Sequence, residues 1–341
     1  MTLPGFDPEF TDLDDYIRVI TARIWEGRRV DTIAQYYGAD CAVITPSGAS
    51  SGVAGVVRGT LETLAQFPDR RLLCEDIISA HSANSANSAS DAGNASNASE
   101  AWLSSHRIAS TMTHSGPGAF GPPSGARLLV RTVADCVCKD NRIVHEWLVR
   151  DQGAIALQIG STPQALAQLW LQQRGAPALP LAAPPAPPAP DGWTDPLHTT
   201  PGAALLRRQY EALWQADLGV LEHTADEALD LQGPRGERAL GVAQAQAFWF
   251  GLTAAFSGAQ FSVDSLAERI EPGRTPRVAM RWRLRGTHHG AGRYGAPTGR
   301  PVEILGITHA EVAHTPYGQT QPRVLREWLL IDEVALWMQL L

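Results

Sequence analysis

An internal repeat constrains the fold of this chain more than any other feature of its sequence. Residues 113–125 read THSGPGAFGPPSG, and residues 287–299 return the pattern as THHGAGRYGAPTG. Further along, the tripeptide that starts at Glu146 returns at Glu327, again in the order Glu-Trp-Leu. Because the matching positions keep their order in both halves, the sequence predicts a duplicated domain. A length of 341 residues, at about 150 residues per domain, also favours two domains.

The repeat and the composition between its copies predict the domain limits. We expect a first domain at residues 1–160, a helix and an Ala/Pro-rich linker at 161–199, and a second domain at 200–341. The segment 176–190 is almost entirely Ala and Pro, which favours an extended spacer. Residues 82–99 are rich in Ser, Ala and Asn, so we expect a disordered loop between two strands of the first copy.

Charge and cysteine usage exclude several classes of protein. The net charge of −7 provides no basic surface for nucleic acid or anionic lipid. We find no apolar run of about 18 residues, so no membrane span is predicted. The start of the chain is acidic and lacks the features of a signal peptide, and four cysteines are too few for a disulfide scaffold. We therefore expect a cytoplasmic protein with reduced thiols.

Within each copy, helical periodicity comes first and strand-like runs follow. In the first copy Thr11 resembles a helix cap, and apolar residues recur at Ile17, Ile20 and Ile24. Short β-branched runs separated by Gly and Pro come next. This order predicts an α+β fold in which helices pack on one face of a curved, antiparallel sheet.

The repeated glycines satisfy the G-x-G-x-x-G pattern at residues 116–121 and 290–295. A dinucleotide site needs that pattern to open a helix, whereas Pro123 and Pro297 follow almost at once. We interpret both segments as glycine-rich hairpins and expect no cofactor. No metal site is expected either, since Cys136 and Cys138 lack further ligands nearby.

Two aspartates at strand ends are the candidate catalytic groups. Strand alternation places Asp151 on one face with Trp147, and Asp332 on one face with Trp328. A carboxylate beside apolar side chains is desolvated, which raises its pKa toward values useful in proton transfer. Asp is also a favoured helix N-cap, and an apolar stretch follows each aspartate. Both interpretations, base and cap, stay open on spacing alone.

A histidine distinguishes the two copies. His309 is predicted on the strand before the one that ends at Asp332, with a turn around Tyr317 between them. Its counterpart in the first copy is Asp135. A His and an Asp that face one cavity would form an acid/base pair, although a lone strand histidine is more often structural.

Further side chains are candidates for contact with a ligand. His106 and Arg107 could donate to an acidic ligand, although Arg107 could equally pair with Glu75 or Asp76. His114 and His288 lie beside the hairpins, where solvent exposure is expected. A flat, apolar ligand could lie against some of the tryptophans in predicted elements, and the candidates are Trp25, Trp147, Trp214, Trp282 and Trp328.

Together these residues resemble a known family. The segment from Trp25 to Asp40, Pro46-x-Gly48, the Thr-His-x-Gly hairpin and the run Glu146-Trp147-x-x-x-Asp151 are similar to the SnoaL-like polyketide cyclases of the NTF2-like superfamily. The resemblance covers residues 10–160 and, more loosely, residues 200–341. It implies two cone-shaped α+β barrels in tandem, each a bent sheet that wraps N-terminal helices.

The resemblance also implies a chemistry. Family members close a ring by intramolecular aldol condensation, without metal or cofactor, using an aspartate that Asp332 and Asp151 match and a histidine that His309 matches. Asp135 departs from that pattern, so we expect the second copy to be the active one. The expectation is a lyase or isomerase that acts on an apolar, carbonyl-containing, aromatic or cyclic small molecule. The alternative is a non-catalytic ligand-binding or assembly module.

Family members usually pair through the open face of their sheets. The resemblance therefore implies a pseudo-dimer of the two domains within one chain, and a further homodimer is left open.

Overall fold

The computed structural model describes residues 3–82, 100–174, 190, 193–313 and 321–341. The predicted loop at 83–99, most of the Ala/Pro-rich segment and the turn around Tyr317 lie outside the described residues. The chain forms two compact units. The first comprises Met1–Arg150, Ile155–Ser161 and Pro184–Pro196, and the second comprises Asp151–Ala154, Thr162–Ala183 and Leu197–Leu341. The domain limits at residues 160 and 200 stay a prediction.

The first unit begins with helices, as predicted. Asp12 rather than Thr11 caps the first helix, because its side chain accepts the Asp15 N–H at 2.8 Å. The helix continues into a π-helical turn at Ala22–Glu26. The helices and strands up to the end of the sheet are α1 (Leu13–Thr21), α2 (Ile33–Tyr36), β1 (Tyr37–Thr45), β2 (Gly48–Ser51), α3 (Gly52–Gln66), β3 (Arg71–His81), β4 (Trp102–Thr113), β5 (Arg127–Lys139) and β6 (Arg142–Arg150).

Two helices follow this sheet, and then the same order of elements returns. The two helices are α4 (Gln152–Gln158) and α5 (Pro163–Arg174). The second series is α6 (Pro201–Trp214), α7 (Leu221–Thr224), β7 (Ala225–Gln232), β8 (Arg238–Leu240), α8 (Gly241–Thr253), β9 (Gln260–Arg269), β10 (Arg277–Thr287), β11 (Pro301–Ala313), β12 (Arg323–Ile331) and α9 (Glu333–Leu340).

Each unit contains one six-stranded sheet, and the two sheets have the same topology. The strand orders are β2-β1-β6-β5-β4-β3 and β8-β7-β12-β11-β10-β9. The predicted duplication and the α+β class are confirmed. The sheets are mixed, however, because β1 runs parallel to β6 and β7 runs parallel to β12. The prediction of a purely antiparallel sheet was therefore wrong, because a long connection rather than a hairpin joins the two strands of each of these pairs.

Strand alternation divides each sheet into two faces. We call the face that packs against the unit's own N-terminal helices the inner face. In β6, Glu146 and Leu148 lie on the inner face together with residues of α1, so Trp147 lies on the outer face. In β12, Glu327 lies on the inner face, where Tyr210 of α6 donates to it.

The glycine-rich segments form the β4–β5 and β10–β11 connections. Each contains a short antiparallel bridge, between Gly118 and Gly121 and between its counterparts in the second unit. A Cβ atom on Gly116 would lie 1.9 Å from the Ala65 oxygen, and one on Gly290 would lie 1.7 Å from the corresponding oxygen at the end of α8. The glycines therefore allow these loops to pack on a helix end, and the hairpin interpretation is confirmed.

No helix in the part of the chain that the structure describes is long and apolar enough to cross a membrane. All four cysteines are free thiols. Cys41, Cys136 and Cys138 are buried, and Cys74 is partly exposed.

Candidate functional site

A cavity of about 80 Å³ lies in the first unit, between α1 with its π-helical turn and the inner face of the sheet. Aliphatic side chains form about half of its wall, as expected for a site that binds a small molecule. Several polar side chains also line it. These are Thr21, Tyr37, Arg70, His106, Thr132, Cys136, Glu146 and Arg150.

Glu146 of β6 is the carboxylate of this cavity. Its side chain is buried, and the burial raises its pKa from 4.5 to about 7, against the opposing effects of Tyr37 and Arg150. The Tyr37 hydroxyl donates to Oε2 at 3.1 Å. Near neutral pH the group therefore exchanges between its charged and its protonated form, which suits a general acid or base.

His106 of β4 lines the same cavity and is neutral. Burial lowers its pKa to about 4, and Nδ1 lies 3.3 Å from the Ser104 hydroxyl. Arg107, the next residue, faces away and pairs with Glu75 at 2.9 Å. The alternative of an ion pair for Arg107 is thus confirmed.

Arg70 brings a guanidinium into the cavity from the residue just before β3. Only 3% of it is exposed. The Cζ atom lies 4.7 Å from the centre of the Trp25 ring, and Nη2 donates to the Ser110 hydroxyl at 3.2 Å. Nε and Nη1 have no hydrogen-bond partner among the described residues, and neither has the Thr132 hydroxyl. Burial lowers the pKa of Arg70 well below its ordinary range.

In the second unit, the corresponding space is occupied by an indole. Trp282 of β10 is fully buried, and it takes the place of Ile108 because each lies six residues before the histidine of the hairpin. A Cβ atom on Gly306 would come within 2.1 Å of this indole. The Trp282 Nε1–H donates to the Thr308 hydroxyl at 3.1 Å.

The second unit also satisfies its own inner-face carboxylate. The Tyr210 hydroxyl lies 2.5 Å from one Glu327 oxygen, and Gln209 Nε2 donates to the other at 3.1 Å. Burial raises the pKa of Glu327 to about 7, as for Glu146, while both hydrogen bonds oppose the shift. Ala259 occupies the position of Arg70, since each donates its N–H to the phenylalanine three residues earlier and directly precedes a strand.

The two aspartates proposed as catalytic groups both act as helix caps. Asp332 Oδ1 accepts the Ala335 N–H at 3.0 Å at the start of α9. Asp151 Oδ1 accepts the Ala154 N–H at 2.9 Å at the start of α4. The capping interpretation is confirmed for both, and their catalytic roles stay predictions.

Asp151 belongs to the second compact unit, where backbone donors surround it. Its Oδ1 also accepts the Arg235 N–H at 3.0 Å, and Oδ2 accepts the Gly236 N–H at 3.1 Å. Burial raises its pKa to about 6, against the effect of these hydrogen bonds. With three backbone N–H groups bound, the carboxylate serves the local structure.

His309 and Asp135 occupy equivalent positions, as the alignment of the copies predicts. His309 lies opposite Trp328 and Asp135 lies opposite Trp147 in the strand register, so all four lie on outer faces. Asp135 is buried and accepts from the Ser105 hydroxyl at 2.5 Å. Trp328 precedes Asp332 by four residues, or about 13 Å along a strand. The register does not place His309 directly beside Asp332.

The other predicted ligand contacts are distributed between core and surface. His114 and His288 were expected to be exposed, but both are fully buried, because each packs on the aromatic rings beside its hairpin. Trp214 is core, with its ring centre 5.4 Å from that of Trp249, and it also lines an open surface pocket of about 460 Å³. Of the nine predicted contact residues, Trp25 and His106 line the cavity.

Sequence reasoning did not select Glu146, Tyr37 or Arg70. The sequence does contain a signal for Glu146. A glutamate recurs among apolar strand residues in both copies, and strand alternation places it on the other face of the sheet from the neighbouring tryptophan. Nothing in the local sequence distinguishes Arg70 from Arg71. Within the described ranges, no group of three or more His, Cys, Asp or Glu side chains is arranged to hold a metal ion.

Comparisons with known proteins relate part of the second unit to one family. Residues 204–340 match the model of the SnoaL-like polyketide cyclase family. No curated protein matches the chain.

Solved structures are similar to parts of the chain. A proposed SnoaL-like polyketide cyclase from Jannaschia sp. CCS1 is 19% identical, with a TM-score of 0.36, and the match covers 41% of this chain and 92% of that one. IdmH, a proposed polyketide cyclase from Streptomyces antibioticus, is 22% identical, with a TM-score of 0.33, and the match covers 42% of this chain and 99% of that one. An NTF2-like superfamily protein from Salmonella enterica serovar Typhimurium is 17% identical, with a TM-score of 0.32, and the match covers 38% of this chain and 87% of that one. The match to the family model confirms the resemblance to SnoaL-like polyketide cyclases at residues 204–340, and the two six-stranded sheets fit a tandem arrangement of such domains.

Proposed function

We propose that the cavity of the first unit is the working site, where Glu146 transfers a proton to and from a small carbonyl compound. The observation that carries this proposal is the position of Glu146, a buried carboxylate with a pKa of about 7 in the wall of a cavity that aliphatic and polar side chains line in equal number. A base with a pKa near the working pH combines a useful charged fraction with sufficient basicity.

The remaining polar groups support the same chemistry. The charged form of Glu146 takes a proton from the carbon next to the carbonyl group, and the electron pair of the C–H bond moves to give an enolate. His106 offers an N–H group to the developing negative oxygen. Tyr37 holds the carboxylate in place through its hydrogen bond. When the starting compound is a β,γ-unsaturated ketone, Glu146 returns the proton to the γ-carbon and completes an isomerisation. When the molecule holds a second carbonyl group, the enolate attacks that carbonyl carbon and Glu146 gives its proton to the resulting alkoxide, which completes an aldol cyclisation.

The size of the cavity supports a small ligand. One water-sized probe occupies about 10 to 15 Å³, so a cavity of about 80 Å³ has room for only a few non-hydrogen atoms. Pockets for drug-sized ligands measure about 300 to 1,000 Å³. An aromatic or cyclic ligand stays a prediction, and a single small ring or a short chain fits this volume better than several fused rings.

The two units supply a matched control for a direct test. Deuterium exchange at the α-carbons of butanone and cyclopentanone is followed by NMR in D2O with the wild type, Glu146→Gln and Glu327→Gln. Loss of general base catalysis reduces the rate about a hundredfold or more, so we expect Glu146→Gln to approach the uncatalysed rate. We expect Glu327→Gln to retain the exchange, since Glu327 is bound by Tyr210 and Gln209. Equal exchange by all three proteins would refute the proposal.

A second candidate is the aspartate mechanism of the second unit, with Asp332 as acid/base and His309 assisting. It is favoured by the family match, which includes both residues. The same exchange experiment with Asp332→Asn separates the two candidates. If the fold is retained and exchange is lost in Asp332→Asn but not in Glu146→Gln, the aspartate mechanism is supported. Binding of the ketones without exchange by any of the proteins would favour the non-catalytic alternative.

A further inference from the structure

We infer that Arg70 binds the carboxylate of a short-chain carboxylic acid inside the cavity of the first unit. This inference rests on the proposed function, because it concerns the same cavity, and it identifies the substrate as a small oxo acid rather than a neutral ketone. Carboxylates bind to a guanidinium through charge-assisted hydrogen bonds, which are stronger than those between neutral groups.

The hydrogen-bonding state of Arg70 is the first argument. A guanidinium carries N–H donors on three nitrogens, and only Nη2 has an acceptor, the Ser110 hydroxyl. Nε and Nη1 are buried without a partner in the described part of the chain, and no ion pair joins Arg70 to a carboxylate there. The Trp25 ring supports one face of the group, which leaves its charge uncompensated. A buried and unpaired cation is unfavourable unless a ligand provides the anion.

The surrounding charges provide the second argument. Arg150 also lines the cavity, and its charge acts on Arg70 in the same unfavourable sense as burial. Glu146, with a pKa of about 7, is only partly charged at neutral pH, and His106 is neutral. Among the described residues that line the cavity, Arg70 therefore faces no fully charged carboxylate, and an anionic ligand group would offset its charge.

The second unit provides the third argument. There, Ala259 occupies the position of Arg70 and the Trp282 indole takes up the interior. The fold thus packs stably without a guanidinium at this position. Arg70 occurs together with the cavity, which is expected of a ligand-binding residue rather than of a residue that the fold requires.

The wall of the cavity limits the rest of the ligand. Aliphatic side chains such as Ile17, Ile20 and Leu148 face the same space, and they provide apolar contacts for the carbon chain of the ligand. The volume of about 80 Å³ accommodates a short chain with one carboxylate. Butanoate meets these conditions, and butanamide is a neutral probe of nearly the same shape.

Titration calorimetry with both probes tests the inference on the full chain. The variants are Arg70→Leu, Arg70→Lys and the control Arg71→Leu, which changes the exposed neighbour. We expect butanoate to bind wild type and Arg71→Leu about tenfold or more tightly than butanamide, the usual advantage of a charged hydrogen bond. Arg70→Leu removes this preference. Arg70→Lys keeps part of it, because a lysine retains the charge but not the planar set of donors.

Two results would overturn the inference. One is equal affinity of the wild type for butanoate and butanamide, a comparison that stays decisive even if Arg70→Leu does not fold. The other is an undiminished preference for butanoate in a folded Arg70→Leu protein, which would limit Arg70 to its contacts with Trp25 and Ser110.

The proposal that Arg70 binds a carboxylate and the proposal that Glu146 transfers a proton can be refuted independently of each other. If Glu146→Gln keeps the exchange activity while butanoate still requires Arg70, the proposed proton transfer is wrong and the carboxylate site stands. If exchange requires Glu146 but butanoate has no preference over butanamide, proton transfer stands and the substrate is neutral.

Discussion

Trp282 and Gly306 are paired on neighbouring strands so that the indole lies where a side chain on residue 306 would otherwise project. A Cβ atom on Gly306 would come within 2.1 Å of the ring. The equivalent pair in the first unit is Ile108 and Thr132, which lie opposite each other in register and both line the cavity. The residues at these two positions therefore decide whether the interior of the domain is filled by a side chain or contains a cavity.

The first prediction concerns the closeness of this pair. Gly306→Ala forces the Trp282 ring or the strand to shift, and overpacking of a core usually costs about 1 to 3 kcal/mol. We expect a loss of that size in the free energy of unfolding, measured by urea denaturation. Gly251→Ala is the control, because its added Cβ lies 3.9 Å from the nearest atom, and in a helix interior it should stabilise by about 0.5 to 1 kcal/mol. A neutral Gly306→Ala would show that the interior is loosely packed.

The second prediction is that the two positions are energetically coupled. Trp282→Ile removes a buried indole and should cost about 3 kcal/mol, but it also leaves room for a methyl group at residue 306. We expect Gly306→Ala to be nearly neutral in the Trp282→Ile background. A double-mutant cycle measures this coupling, which should be between about 0.5 and 3 kcal/mol for residues in contact. Strict additivity of the two changes would contradict the proposed packing.

The third prediction is a pH dependence of stability. Burial raises the pKa of Glu327 from 4.5 to about 7, so the folded chain binds more protons than the unfolded chain between these pH values. The free energy of unfolding should therefore decrease as pH rises from about 4.5 to about 7. Glu327→Gln removes one of three buried carboxyl groups whose pKa burial raises, and it should make this slope shallower, while Glu146 and Asp151 keep their own contributions. Glu211→Gln, the same substitution at a partly exposed glutamate of the second unit, provides the control.

The fourth prediction separates the two capping aspartates. Asp151→Asn replaces one of two oxygens that together accept three backbone N–H groups, so a buried donor loses its acceptor at a cost of about 1 to 3 kcal/mol. Asp332→Asn keeps an oxygen for the Ala335 N–H, and we expect a loss below about 1 kcal/mol. Chemical denaturation of both variants measures the difference. The reverse order would show that Asp332 has the larger structural role.

The duplication, the helices-first order and the glycine hairpins could all be predicted from the sequence, because each leaves a local pattern. The alignment of Asp135 with His309 was also predictable and agrees with the strand register. The parallel pairing of β1 with β6 was not, since it depends on how a long connection returns to the sheet.

The candidate site was predicted less well, because strand alternation separates two faces without showing which one the helices cover. The prediction placed the site on the face that carries Trp147 and Trp328, which is the outer face. Glu146, the residue before Trp147, points to the cavity instead. Arg70 could not be found from the sequence, since its role depends on burial that only the folded chain shows. The role of Trp282 could not be predicted either, because a sequence does not distinguish a tryptophan that fills a core from one that lines a pocket.

The indole of Trp282 acts as a permanently attached occupant of the second unit. A domain with such an occupant has its full stability without any small molecule, whereas a domain that binds a free ligand is stabilised in proportion to the logarithm of ligand concentration. Ligand should therefore stabilise residues of β4 to β6 against hydrogen exchange and leave those of β10 to β12 unchanged. Under this proposal, one polypeptide contains both a ligand-responsive domain and an internal reference for it.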